Sequence, residues 1–312
     1  SVTYERMNEN KQKVGELKSL KPITVLFEGA DTDIYKLTKE FSTDLIGELD
    51  KIKEKWCFLY VGHWLQGELG QDRKDTGMLI KTFLETFKDK KQQPALILKT
   101  SSATFSVIDR NEILEKVNVI KDSVDANKLP SIYILHGDLE DEEMNGLYNH
   151  PKVKAHITFT HGEGFGRPLL EATLSEKPVI ASDWSGHLDF LNKNQAVLLG
   201  GALTEVHKSA LPKEMLVDGA RWFTVNYQYA SRIMQDVFKN YRKYSLNAKK
   251  LGMVNKSKFS LTNMKKQFEN ILNQSLPKFE EQPQSVNLKL PKLKKVGDSA
   301  LKKIKLPKLK KV

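Results

Sequence analysis

One cysteine, Cys57, stands in 312 residues, so no disulfide framework can form within the chain. It lies in the apolar run WCFLYVG and reads as a buried core thiol rather than a nucleophile, which fits a reducing compartment. No run approaches the roughly 18 apolar residues that span a bilayer, and no signal-peptide pattern opens the sequence. The expectation is a cytoplasmic protein, with peripheral membrane attachment left open. The first residue is Ser1 rather than Met, as in a processed chain or the remainder of a longer one. Acidic residues are nearly missing from 286–312, which hold ten lysines and one acid, Asp298. Nine of the eleven net positive charges therefore lie there, and about two remain for residues 1–285. The basicity belongs to the tail and is no argument that the folded part binds nucleic acid.

What is present is an alternation of short apolar runs with helix-like segments. PITVLFEG (22–29), WCFLYVG (56–62), PALILKT (94–100), SIYILHG (131–137), AHITFTHG (155–162), KPVIASD (177–183) and AVLLG (196–200) read as strands. Most are continuous runs of the kind buried on both sheet faces. Helical spacing fills 34–55, 76–89 and 110–124, the segment EDEEMNGLYNHP, the stretch after Gly166, and most of the chain beyond about residue 220. Residues 1–21 show no strong period. The alternation predicts an α/β fold, a parallel sheet flanked by helices, with ligands at the carboxyl ends of the strands. Residues 277–312 differ: a proline-punctuated linker precedes LPKLKKV, which occurs at 290–296 and again at 306–312. Alternating leucine and lysine broken by Pro291 and Pro307 cannot build a core. The tail is either a solvated, disordered extension or an adhesive for an anionic membrane surface or polyanion. Its lack of arginine and aromatics argues against base recognition.

The segment HGEGFGRPLLEA (161–172) follows one of the strands. Gly162, Gly164 and Gly166 allow a sharp turn and close approach of a ligand. Pro168 suits the first turn of a helix, whose N-terminus offers N–H groups to an anion such as a diphosphate. Glu163 sits in the bend. Glu171 lies about two turns into the helix, where a carboxylate, an acceptor only, can receive a vicinal diol.

EGFGRPLLE resembles the E-x7-E motif of GT-B retaining glycosyltransferases of the family-4 type. FLYVGHW, HGDLEDEEMNGLYNHPKVKAHITFTHGEGFG, KPVIASDWSGHLDFL and FSLTNMKKQFENIL are similar to further passages of that family, in the same order, and VLFEGADTDIY resembles its interdomain hinge. The resemblance runs from about Lys21 to Gln274. It implies the C-terminal half of a GT-B fold, Rossmann-like, followed by C-terminal helices and the basic tail. It implies transfer of a hexosyl group from a UDP- or GDP-linked sugar, with no cofactor and no metal. Glu163 would be the catalytic residue, holding the sugar hydroxyls, and Glu171 would bind the ribose. Gly164, Phe165, Gly166 and Arg167 would line the diphosphate side. Arg73 and Lys74 stand where the family places its basic pair, after Gly62 and His63. The position of His63 is usually arginine, and a longer loop intervenes. Lys99 and Thr100 are placed for the base or the phosphates.

The resemblance divides the chain into 1–50, the remnant of an N-terminal domain with the hinge; 51–220, the donor-binding domain; 221–276, C-terminal helices; and 277–312, the tail. A GT-B enzyme needs a second domain for its acceptor, and the hinge-like segment arrives near residue 28. The partner half is expected to be missing or to be a separate chain, and the acceptor is unknown. Two alternatives stand beside the transferase: a non-catalytic nucleotide-sugar-binding fragment, and a nucleotide-sugar epimerase on the same fold. His136, His161, Trp64 and Trp184 read equally as core or ligand contacts. His187 reads as structural. The acidic clusters at 31–33 and 140–143 read as a hinge and a helix start rather than metal ligands.

Overall fold

The computed structural model describes residues 3–7, 12–18, 23–102, 104–210 and 217–276. The lysine-rich tail lies outside the described residues. The chain divides into two units, 1–271 and 272–312, and of the second only residues 272–276 are described. Residues without sequence periodicity near the N-terminus form an antiparallel hairpin, β1 (Thr3–Met7) with β2 (Lys13–Lys18). Residues 23–29 join no sheet; a single bridge pairs Ala30 with Ser260. Instead of a helix over 34–55 there is one short helix, α1 (Thr43–Asp50), capped by Ser42, whose hydroxyl accepts the Leu45 N–H at 3.2 Å.

From there the alternation is regular: β3 (Cys57–Val61), α2 (Thr76–Phe87), β4 (Ala95–Lys99), α3 (Val107–Asp122), β5 (Ile132–Leu135), α4 (Asp141–Asn149), β6 (Val153–Ile157), α5 (Arg167–Leu174), β7 (Val179–Ser182) and β8 (Val197–Leu199). These six strands make one parallel sheet in the order β5-β4-β3-β6-β7-β8. The alternating side chains of β3 show why it is apolar throughout. Phe58 and Tyr60 enter one core with Phe83 and Phe87 of α2, while Cys57 and Leu59 enter the other with Leu147 and Leu170. Burial pushes the Cys57 thiol up to about 12, as befits an inert core group.

Beyond β8 the sequence reading is corrected. An antiparallel hairpin, β9 (Gly201–Glu205) with β10 (Arg221–Val225), precedes the helices α6 (Tyr227–Lys239), α7 (Tyr241–Lys258) and α8 (Leu261–Ser275). Val225 and Ala230 nevertheless belong to the same core as Phe58. At the other end Tyr35, Leu45 and Leu49, in the segment assigned to the hinge, are buried with Leu147 and Tyr148 of α4. No helix among the described residues is long and apolar enough to cross a membrane.

The strand order places the site. The chain leaves β3 toward β4 on one side, and β6 continues the sheet on the other. The loops after these two neighbours therefore part at their carboxyl ends and open a crevice between them.

Candidate functional site

The loop after β3 is long, and buried acids shape it. The Asp72 carboxylate accepts the Thr76 N–H at 3.0 Å, opening α2. Asp75 is fully buried with φ +52 and accepts the Tyr227 hydroxyl at 2.8 Å. Burial holds the carboxyls of both acids above the usual range, that of Asp75 at about 8. Between them sit Arg73 and Lys74. The Arg73 carbonyl accepts the His161 N–H at 3.0 Å, which fastens this loop to the end of β6 across the crevice.

The loop after β6 is held by the loop after β7. Glu163 donates its N–H to the Ser185 hydroxyl at 2.8 Å, and its carbonyl accepts the Gly186 N–H at 3.1 Å. The approach is so close that a Cβ on Gly186 would lie 1.9 Å from the Gly164 carbonyl oxygen. Of the three glycines in HGEGFG, only Gly166 has a left-handed conformation, φ +91, as it caps α5. A Cβ on Gly164 would meet nothing within 4 Å. In this fixed bend the Glu163 carboxylate pairs with the Lys74 ammonium. The Arg73 guanidinium lies 3.7 Å away and also donates to the Gly162 carbonyl at 3.3 Å. Burial draws the Lys74 ammonium below the ordinary lysine value, and Glu163 opposes that shift.

Glu171 is one turn into α5, not two, because the helix starts at Arg167. One carboxylate oxygen accepts Arg167 Nε at 2.7 Å, four residues back, and the other accepts the Tyr148 hydroxyl at 3.3 Å. Burial pushes its carboxyl up to about 7, against the pull of Arg167. A neighbouring network supports the wall: Tyr35 donates to Asp141 at 2.8 Å, and the Arg167 guanidinium stands 3.9 Å from Asp141.

A cleft of about 400 Å³ opens beside these loops. Gly62, His63, Arg73, Lys74, Lys99, Arg167 and Glu171, each singled out by sequence, border it, as does Thr100. Glu163 reaches it through its partner Lys74. Phe165 does not line it: its half-buried ring packs on Phe190, 5.1 Å between centroids, against the core. His63 is held to the Ser101 hydroxyl at 3.0 Å. His161 is buried, bonded to the Phe223 carbonyl at 2.7 Å and stacked on Trp222 at 3.9 Å. His187 is buried and bonded to the Ser182 carbonyl at 2.7 Å. His136 pairs with Asp109 at 2.8 Å. These histidines tie loops together. Trp64 lies in the core, and Trp184 stacks on Phe223. Glu140 and Glu143 form the capping box of α4, and Asp31 accepts the Asp33 N–H in a turn.

Sequence reasoning gave no binding role of their own to Tyr35, Tyr148, Asp138 and Asp141, all on the cleft. The signal was available for the last two. Both follow β5, at the same edge of the sheet as the residues that were identified.

No family profile and no curated protein sequence matches the chain. Solved structures do. HepE from Anabaena, solved in complex with UDP-glucose, is 16% identical, with 80% of this chain and 57% of that chain covered and a TM-score of 0.56. The C-terminal domain of the glycosyl transferase group 1 family protein LpcC from Francisella tularensis is 17% identical, with 75% and 100% covered and a TM-score of 0.50. Sucrose-phosphate synthase from Thermosynechococcus elongatus is 16% identical, with 79% and 51% covered and a TM-score of 0.52. The chain thus has the fold of the C-terminal, Rossmann-like half of a GT-B glycosyltransferase, and it spans little more than half the length of HepE.

Proposed function

We propose that this chain is the donor-binding half of a retaining glycosyltransferase, which takes a hexosyl group from a nucleoside-diphospho-sugar without a metal. The observation that carries the reading is the cleft at the β3–β6 divide. It is lined by two cations from one loop and a carboxylate from α5, and a second carboxylate, Glu163, is paired to the lining ammonium of Lys74 from the facing loop. HepE, of like fold, was solved with UDP-glucose.

The chemistry is electrostatic. Departure of the nucleotide builds negative charge on the diphosphate, which Arg73, Lys74 and the N-terminus of α5 stabilise. Glu171 accepts the two ribose hydroxyls and fixes the nucleotide. Lys74 has a double role. Without ligand it neutralises Glu163. A bound diphosphate competes for that ammonium and frees Glu163 to hold the hydroxyls of the sugar as its ring gains positive charge. The acceptor belongs to a second half, supplied upstream or by another chain. Without that half, the same cleft makes a nucleotide-sugar-binding module.

The test is incubation of the chain with UDP-glucose and GDP-mannose, scored for binding and for release of free nucleotide. Binding with slow nucleotide release supports the transferase, and binding without release supports the module. Absence of binding, unchanged in Glu171→Ala, would contradict both.

A further inference from the structure

The donor-site reading gives Glu163 the sugar and Glu171 the ribose but leaves the far end of the cleft unassigned. The loops follow the strand order, so those after β4 and β5 lie beyond that of β3, away from the β6 loop. A ligand with its phosphates at the β3–β6 divide brings its base to these two loops. Three side chains line the cleft there: Lys99 from β4, Phe105, and Asp138 from the turn after β5. The Phe105 ring is 46% exposed and lies 5.3 Å from the Lys99 ammonium.

The hydrogen-bonding capacity of the two charges is largely uncommitted. Lys99 donates once, to the Gly137 carbonyl at 2.5 Å, which leaves two N–H groups. Asp138 accepts the Leu139 N–H on Oδ1 at 3.2 Å, and a carboxylate has room for about three more donors. Among the described residues the two charges form no ion pair with each other, so each can turn to a ligand.

An ammonium beside a carboxylate demands an acceptor beside donors. Guanine presents that order along its edge: O6 accepts, then N1–H and N2–H2 donate. Uracil presents O4, N3–H and O2, so its second carbonyl would face the carboxylate. Adenine sets its N7 or N1 acceptor beside N6–H2, so on either edge it offers the carboxylate one N–H where guanine offers two. We infer that the nucleotide of this cleft carries guanine, with Lys99 on O6, Asp138 on N1–H and N2–H2, and Phe105 against the ring. The inference rests on the donor-site reading and narrows it to guanine nucleotide sugars.

The test is calorimetric titration of GDP, UDP and ADP into the full chain and into Asp138→Ala, an exposed loop position, with a thermal melt as the folding control. In the unaltered chain GDP should bind roughly tenfold to a hundredfold tighter than UDP or ADP, the range that a bidentate pair to a base edge supplies. The variant should lose about tenfold for GDP and change less than about twofold for UDP. Equal or tighter binding of UDP by the unaltered chain, or an equal loss for both nucleotides in the variant, overturns the guanine assignment and leaves the donor-site reading standing. Failure of every nucleoside diphosphate to bind overturns both. If the variant does not fold, the comparison of GDP with UDP in the unaltered chain decides alone.

Discussion

Glu171 combines a structural liability with its proposed binding role. Its carboxyl is pushed from 4.5 up to about 7 by burial, so the folded chain keeps a proton that the unfolded chain has already lost. The resulting contribution to stability is complete below pH 4.5 and disappears as the pH rises through about 7, a swing on the order of 3 kcal/mol. Glu171→Gln removes this dependence. Urea denaturation at pH 5, 7 and 8.5 should show the variant gaining on the parent by about 1–3 kcal/mol toward high pH, while nucleotide binding falls at least about tenfold. Parallel stability profiles would contradict this account of the site. Asp75, pushed up to about 8, keeps a slope of the same sign in the variant. Lys74→Ala leaves the Glu163 carboxylate with only the more distant Arg73. A loss of about 2–4 kcal/mol in stability is expected, together with weakened diphosphate binding. Unchanged stability would mean that the Lys74–Glu163 pair is solvated.

At the scale of elements, the site depends on two loops that hold each other. Gly186→Ala would drive a methyl group into the Gly164 carbonyl. Thermal and urea unfolding should show a loss of about 2 kcal/mol or more, with nucleotide binding impaired beyond what unfolding explains. Parental stability would show that the β6 and β7 loops separate freely. The strands of the main sheet were legible because each is a continuous apolar run, and their alternation with helices pointed to a parallel sheet and to the edge where the cleft lies. The segment HGEGFGRPLLEA was legible as a bend followed by a helix, with Glu163 in the bend and Glu171 in the helix. Other features were not. The run at 22–29 has the composition of a strand, yet Ile23 is 58% and Val25 80% exposed, and neither finds a neighbour in a sheet. The β9–β10 hairpin escaped notice because β9 is exposed along its whole length and β10 runs almost directly into α6. Tyr35 and Tyr148 reach Glu171 and Asp141 only through tertiary packing, which no local pattern announces.

For the whole molecule, residues 1–285 and 286–312 differ in charge as they do in sequence pattern. Truncation after Leu276 should leave the Kd for nucleotide unchanged within about twofold and abolish salt-sensitive binding to anionic vesicles, which the nine net charges of 286–312 would otherwise confer. Vesicle binding that survives truncation would remove the tail from that role. The central claim concerns two carboxylates acting on one ligand from different ends. It is tested most directly by titrating bare nucleoside diphosphate and the matching nucleotide sugar into Glu163→Gln and Glu171→Gln. The account predicts that Glu171→Gln weakens both ligands alike, whereas Glu163→Gln weakens only the sugar-bearing one. Equal effects of the two substitutions on both ligands, or none at all, would contradict it.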